Sequence, residues 1–417
     1  MGIVRRVKVF NALMNWFDQR LPILSFLRKH LSCYFVPKNL NFLYVFGIFA
    51  LVMCFSQLIT GIWLAMSYTP TTSEAFESIQ YIMRDVNFGW LIRHMHTTGA
   101  SFLFAILYVH IFKAMLYGSY QKPRELVWLF GWLLFALFSA EAFTGYLLPW
   151  GQMSYWGAQV ITSLFEVIPF VGDSIAQWVR GDYTVSEITL KRFFALHVIG
   201  FPVLIGLLLF LHISSLHHVG SNNPKGVDIA LKLDGKGKPL DAIPFHPYYT
   251  VKDLFYVLLM LGLFAAVVLY VPDFWGYFIE SDNALPANIL STPDHIAPLW
   301  YFAPFYSILR AVTYPLFGIE ARFWGAMLMY LSIFLLALLP WLDRSPVKSL
   351  RYKGKVSKFM FGLFVISFVS LGVCGVMAMN ATALFIAQVS SLIYFSYFLL
   401  MPWFTKFEQC QNVPDRV

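Results

Sequence analysis

The chain has 417 residues, of which 59% are hydrophobic and only 12% are charged, with 42 Phe, 22 Tyr and 13 Trp. This composition excludes a soluble globular domain and indicates a membrane protein. The net charge of +8 comes mostly from the connections between apolar segments, so the basic balance gives no support to a nucleic-acid-binding function.

Apolar segments long enough to cross about 30 Å of hydrocarbon predict an all-α polytopic fold with eight transmembrane helices. They cover residues 42–66, 89–117, 126–150, 193–216, 254–271, 323–342, 359–379 and 382–404. Most Lys and Arg residues fall at the two ends and in alternate connections. Because basic residues stay preferentially in the cytoplasm, both termini are expected there.

The polar stretches divide the chain into five predicted parts. Residues 1–40 read as a basic amphipathic surface segment rather than a cleavable signal peptide. A first transmembrane block (41–220) and a second (254–404) are joined by a cytoplasmic linker (221–253), and a tail follows (405–417). Two long outer connections, 151–192 and 272–322, contain short apolar stretches. We expect these stretches to form surface helices over a pocket at the outer face.

Four histidines in the first block have matched spacing. His96 and His110 are 14 residues apart, and His197 and His212 are 15 apart. On a helix these intervals advance about 21 and 22.5 Å and return to within roughly 60° of the same face. Two such helices facing each other would form two histidine pairs, one above the other, each able to bind a non-covalent haem. Bis-histidine ligation leaves no open iron position, which favours electron transfer.

Two pairs of glycines in the neighbouring spans are also 14 residues apart. Because glycine has no Cβ atom, a flat macrocycle could lie against the helix backbone at these positions. They are Gly47 and Gly61 in the first span and Gly131 and Gly145 in the third. Arg93 and Lys113 lie one turn from His96 and His110, where they could pair with haem propionates or serve as ordinary interfacial charges.

Two other kinds of function remain open at this point. A transporter or structural membrane subunit could use the histidines as proton relays, and haem absorption would distinguish it. A di-haem anchor subunit of a dehydrogenase or hydrogenase is less compatible with the second block. The four cysteines form neither a CxxCH motif nor a metal cluster, so any iron–sulfur or c-type centre must reside on other chains.

Strings along nearly the whole chain resemble cytochrome b of the respiratory quinol–cytochrome c reductases. They include RDVNFGWLIRHMH, GYLLPWGQMSYWGA, RFFALH, HHVGSNNP, FHPYYTVKD and PLWYF. The resemblance implies that His96 and His197 bind a low-potential haem near the outer face, and that His110 and His212 bind a high-potential haem near the cytoplasm. The predicted topology gives the same pairing, because both histidine-bearing spans run inward.

The resemblance also implies two quinone sites. The outer quinol-oxidising site would comprise Tyr146, Gly157, Pro298, Trp300, Tyr301 and Tyr306. The inner quinone-reducing site would comprise His217, Ser221, Lys252 and Asp253, with His218 as a further candidate proton donor. Lys252 and Asp253 could equally be the solvated start of a helix.

Three features depart from the family pattern or invite misassignment. Leu299 replaces the usual glutamate of the Pro-Glu-Trp-Tyr turn, and we expect Glu141, ahead of Asp294, to supply the missing proton path. The 15-residue interval exceeds the usual 14, and Pro202 predicts irregular helical hydrogen bonding near residues 200–202. His94 lies two residues from His96 and faces elsewhere, so it is not a predicted ligand.

The resemblance implies a proton-translocating enzyme that works only with partner chains. These are a Rieske iron–sulfur protein and a c-type cytochrome, with ubiquinol and ubiquinone as substrates. A homodimer of the whole complex is also implied. The basic ends favour the bacterial inner membrane over a mitochondrial location.

Overall fold

The computed structural model describes residues 12, 14–22 and 33–417. Most of the amphipathic segment predicted at residues 1–40 lies outside these described residues. The described chain is mostly helical. From residue 46 onward its α-helices are α1 (Phe46–Ala65), α2 (Ala75–Arg84), α3 (Gly89–Tyr117), α4 (Glu125–Leu147), α5 (Gln152–Ser163), α6 (Gly172–Arg180), α7 (Glu187–Ala195), α8 (Phe201–Val219), α9 (Thr250–Tyr270), α10 (Ala303–Ala311), α11 (Ala321–Ala337), α12 (Leu339–Leu342), α13 (Lys355–Val376) and α14 (Ala381–Phe407).

Seven helices of the described chain are long and apolar enough to cross a membrane. They are Phe42–Ala65, Gly89–Tyr117, Glu125–Leu147, Glu187–Val219, Phe245–Tyr270, Lys355–Val376 and Ala381–Phe407. The span predicted at residues 323–342 is divided instead into α11 and α12. Pro340 lacks the amide that would continue the hydrogen bonds of α11, which accounts for the break.

The helix that carries His197 is irregular, as the sequence predicted. A π-helical turn spans Leu196–Gly200 between α7 and α8, and the Phe201 amide donates to the Leu196 carbonyl. A π turn accommodates one extra residue, and Pro202 at the start of α8 donates no amide hydrogen bond. The predicted irregularity near residues 200–202 is therefore confirmed.

A two-stranded antiparallel sheet, which the all-helical prediction did not include, lies in the part of the chain assigned to the cytoplasm. Strand β1 (Phe35–Pro37) pairs with β2 (Ala242–Pro244). Beside it, the Asp241 carboxylate forms ion pairs with Lys38 at 2.7 Å and Arg416 at 3.0 Å. The sheet and these ion pairs connect the N-terminal segment, the linker and the tail.

Two hydrophobic clusters hold the helices together. In the first, residues of α1, α3, α4 and α9 pack around Leu299 and Tyr301 of the second outer connection. The second joins α11, α13 and α14 to the C-terminal end of α3 and the N-terminal end of α4. The first outer connection, where surface helices are predicted, contains α5, α6 and the start of α7. Both outer connections thus contact the bundle that contains the four histidines.

Candidate functional site: two histidine pairs and an outer cavity

The structure brings His96 of α3 and His197 of the π turn together. Their ring centroids are 6.0 Å apart and their planes lie at 88°. Two imidazoles on opposite sides of one metal ion, each with a metal–nitrogen bond of about 2 Å, have centroids roughly 6 Å apart. His110 and His212 are also neighbours, and Lys113 lies near both. The spacing of the first pair therefore fits an axial ligand pair.

Hydrogen bonds at Nδ1 orient three of the four imidazoles. The partners are the Glu141 carbonyl for His197 at 3.0 Å, the Val127 carbonyl for His212 at 2.9 Å and the Thr60 hydroxyl for His96 at 2.9 Å. A neutral imidazole that donates from Nδ1 keeps Nε2 as the nitrogen for a metal ion. The Nδ1 of His110 is buried and has no hydrogen-bond partner among the described residues.

Each of the four predicted glycines packs directly against one histidine ring. A Cβ atom built on the glycine would approach the imidazole Cε1 to 2.4 Å at Gly145 with His197, 3.1 Å at Gly61 with His96, 3.1 Å at Gly131 with His212, and 3.4 Å at Gly47 with His110. The sequence predicts that a macrocycle lies against these glycines, and the structure places an imidazole ring beside each of them. The repeated interval therefore makes room for the imidazoles.

A mainly apolar cavity of about 350 Å³ lies in the outer half of the bundle. Its lining includes His96 and His197, the glycines behind them, and Arg93. Tyr146 and Leu299 also line it. This volume lies in the usual range for small-molecule sites. The same cavity therefore adjoins the first histidine pair and part of the predicted quinol site.

Only some of the residues predicted for the outer site line this cavity. Tyr146, Glu141 and Tyr301 line it. Gly157 lies beside Tyr146, because a Cβ there would be 3.5 Å from the tyrosine ring. In the part of the chain that the structure describes, the other residues predicted for the outer site do not line the cavity. These are Pro298, Trp300, Tyr306 and Asp294.

The turn at residues 298–301 is anchored to the bundle. The Trp300 indole donates to the Ser101 hydroxyl at 3.1 Å. Tyr301 stacks on Phe104 with ring centroids 4.0 Å apart, and its carbonyl accepts a hydrogen bond from Tyr108. The turn thus presents the buried, apolar Leu299 to the cavity in a fixed position.

The two predicted acids lie in different surroundings. One carboxylate oxygen of Glu141 is 3.1 Å from Nδ1 of His197, and the other is buried without a hydrogen-bond partner in the described chain. Asp294 is exposed in the second outer connection. Glu141 is therefore coupled to a predicted haem ligand, whereas Asp294 is not part of the cavity wall.

Aromatic contacts link two residues of the predicted inner site, His217 and Lys252. Tyr34 stacks on His217 with ring centroids 4.4 Å apart and also contacts Phe245, which stacks on Tyr249. The Lys252 ammonium lies 5.4 Å from the centre of the Tyr249 ring. It also donates to the Leu40 carbonyl at 2.9 Å. Ser221, Lys252 and Asp253 are all partly buried, whereas His218 is exposed.

The polar surroundings of the second histidine pair suit an anionic group. Lys113 is buried, with its ammonium 4.6 Å from the centre of the Tyr44 ring. Buried donor atoms without a partner in the described chain include the Tyr44 hydroxyl and Arg124 Nη1. Buried groups of this kind normally have partners, so these atoms fit the propionates of a haem held by His110 and His212.

Sequence reasoning missed three polar residues at these sites. Thr60 precedes one of the predicted glycines and could have been found as a hydroxyl facing His96. Arg124 was visible only as one basic residue in a connection. Glu280 accepts a hydrogen bond from the Tyr146 hydroxyl at 2.7 Å. No local motif marks Glu280, because the contact joins residues 134 positions apart.

Two family models match the chain. Residues 31–220 match the model described as cytochrome b/b6/petB, and residues 286–395 match the model described as cytochrome b (C-terminal)/b6/petD. The first covers the four histidines, and the second covers the turn at residues 298–301. The matches therefore extend over both transmembrane blocks.

Individual proteins show the same likeness over nearly the full length. A protein named cytochrome b from Allochromatium vinosum is 51% identical, with 97% of this chain and 98% of that protein covered. Cytochrome b from Rickettsia prowazekii is 46% identical, with 98% of each covered. A chain of a structure titled hyperthermophilic respiratory complex III aligns with a TM-score of 0.85 and 37% identity, covering 94% of this chain and 98% of that one. The chain therefore belongs to the cytochrome b family and is a membrane subunit of respiratory electron transport.

Proposed function

We propose that this chain is the di-haem subunit of a proton-translocating quinol–cytochrome c oxidoreductase. The observation that carries the proposal is the His96–His197 pair at a centroid distance of 6.0 Å, supported by the glycine behind each ring. His96 and His197 would hold the low-potential haem, and His110 and His212 the high-potential haem. When bound, the two haems supply a one-electron path from the outer site to the inner site.

A haem held by His96 and His197 would occupy the part of the cavity beside these rings, and the outer site would bind quinol in the part lined by Tyr146, Leu299 and Tyr301. Its apolar lining excludes water from the reaction and suits the hydrocarbon parts of a quinol. Tyr146 offers the quinol a hydroxyl, and the ring of Tyr301 is held in place by Phe104. One electron would leave for a Rieske iron–sulfur protein, and the other would cross the membrane toward the inner site.

The inner site would reduce quinone with protons from the cytoplasm. Lys252 and Asp253, at the start of α9, and His217 and Ser221, at the end of α8, combine partial burial with groups that can carry protons. Proton uptake inside and release outside would charge the membrane, as in a Q-cycle.

The whole enzyme would need further chains and a bilayer. We propose a Rieske protein and a c-type cytochrome as partners, ubiquinol and ubiquinone as substrates, and a homodimeric assembly in the bacterial inner membrane. Both termini would be cytoplasmic. The helix α11 has 17 residues and a length of about 25 Å, so with α12 it would complete an eighth span. The domain division at residues 41–220 and 254–404 is part of this proposal.

Lys252→Met and Asp253→Asn test the division between the two quinone sites. We expect either variant to slow steady-state cytochrome c reduction on the order of tenfold or more. The first reduction of haem by quinol at the outer site should stay fast, because these residues lie away from the outer cavity. Stopped-flow absorption of the purified complex separates the two rates.

Lys232→Met is the matched control, because Lys232 is exposed in the same linker. It should keep both rates. If Lys252→Met and Asp253→Asn left steady-state turnover at the control level, the inner-site assignment would be wrong. A complex with no haem absorption at all would refute the di-haem function.

A further inference from the structure

The outer cavity lacks an acid at the place where the family turn usually has one. Leu299 is buried there and cannot accept a proton. Quinol oxidation breaks two O–H bonds, and a proton released in an apolar cavity needs a positioned acceptor. Among the carboxylates predicted for this role, Glu141 contacts the His197 imidazole and Asp294 is exposed. A carboxylate behind the Tyr146 side of the cavity is a third candidate.

Glu280 meets the geometric requirement. It lies in the second outer connection between Ile279 and the short helix Ser281–Ala284, and its carboxylate accepts a hydrogen bond from Tyr146 at 2.7 Å. Tyr146 itself lines the cavity, as do Ile279 and Asn283 on either side of Glu280. The tyrosine hydroxyl is thus the link between the cavity and a carboxylate directly behind its wall.

We propose that Glu280 accepts the proton that quinol releases at the outer site, with the Tyr146 hydroxyl as relay. This inference rests on the proposed function and adds the residue that replaces the missing acid. One quinol O–H bond breaks and its proton joins the Tyr146 oxygen, while the tyrosine proton forms a new O–H bond on Glu280. After Glu280 has released this proton to the outer water, the second quinol proton follows the same route. The electrons leave singly to the two one-electron acceptors of the proposed reaction.

The surroundings of Glu280 suit a temporary proton acceptor. Burial raises the pKa of its carboxyl above the ordinary value, the hydrogen bond from Tyr146 opposes the rise, and Asp282 adds to it. The titratable groups that face it are Tyr146 of α4, Tyr301 of the anchored turn and Asp282 of its own segment. Ser281 and Asp282 are exposed, so the proton has a short path to the outer water.

The test uses Glu280→Gln in the purified complex with quinol and cytochrome c. Glutamine still offers an oxygen to the Tyr146 hydroxyl but cannot take up a proton. Only ionised Glu280 accepts a proton, so the wild-type rate should rise with pH through the pKa of this carboxyl. We expect Glu280→Gln to lower the rate on the order of 10²-fold and to abolish that rise, while Glu280→Asp restores part of both.

Tyr146→Phe and Asp282→Asn complete the design. Tyr146→Phe removes only the relay hydroxyl and should show the same loss, which keeps the test valid if Glu280→Gln fails to assemble. Asp282→Asn removes the neighbouring carboxylate, which adds to the rise in the Glu280 pKa, so this variant should keep the rise of the rate with pH but move it to lower pH. Near-normal turnover and an unchanged pH profile in either Glu280→Gln or Tyr146→Phe would overturn the inference. A wild-type complex unable to oxidise quinol would instead refute the proposed function.

Discussion

Replacing Gly145 with valine is expected to remove the outer haem and to leave the inner haem in place. A Cβ at Gly145 would lie 2.4 Å from Cε1 and 2.9 Å from Nδ1 of His197. No real Cβ makes such a contact, and the imidazole is held from behind by the Glu141 carbonyl. The ring must therefore rotate or shift, and a haem ligand displaced by about 1 Å loses its bonding geometry. Haem content and the reduced absorption spectrum of the purified complex measure the loss.

Gly131→Val should produce the opposite pattern, because its Cβ would lie 3.1 Å from Cε1 of His212. Gly262→Val is the matched control: a Cβ there meets no atom of the described chain within 4 Å. It should keep both haems. If Gly145→Val retained two haems with normal spectra, the proposal that this glycine makes room for an axial ligand would fail.

Replacing Asp343 with alanine is expected to have the largest effect on stability. The carboxylate is buried and accepts hydrogen bonds from Tyr120 at 2.5 Å and Gln121 at 2.7 Å. It also pairs with the Lys353 ammonium at 2.5 Å, and Lys353 is itself buried. Removing the acid leaves a buried cation without its partner, which costs about 3–5 kcal/mol. The unfolding temperature of the complex in detergent, followed by intrinsic fluorescence, should fall clearly.

Two further variants distinguish the cost of the unpaired Lys353 charge from an unspecific loss of stability. Asp343→Ala with Lys353→Met removes both charges and should recover part of the lost stability. Glu187→Ala breaks the exposed pair with Lys191 and should cost less than about 1 kcal/mol. A double variant less stable than Asp343→Ala alone would show that the unpaired Lys353 charge is not the cause.

The sequence predicted those features that repeat at a helical interval. The histidine spacing predicted two neighbouring histidine pairs, which the structure contains, and each predicted glycine lies against one of those rings. Pro202 and the 15-residue interval likewise predicted the irregular helix. Such patterns are local to one helix, so they are visible without knowledge of how the helices pack.

The features that escaped prediction depend on contacts between distant segments. The Tyr146–Glu280 hydrogen bond joins a helix to a loop, and the β1–β2 sheet joins residues about 200 positions apart without a clear strand pattern. The break at Pro340 escaped prediction for another reason. Hydropathy measures the length of an apolar stretch but does not register the backbone hydrogen-bond donor that a proline removes.

The most direct test of the account is a potentiometric titration of the purified, quinone-free complex, followed at the reduced haem absorption band. We predict two resolved components in the wild type. His96→Ala should remove one component and His110→Ala the other, because each histidine belongs to a different ligand pair. A single component, or none, in the wild-type complex would contradict the two-haem arrangement on which the proposed function rests.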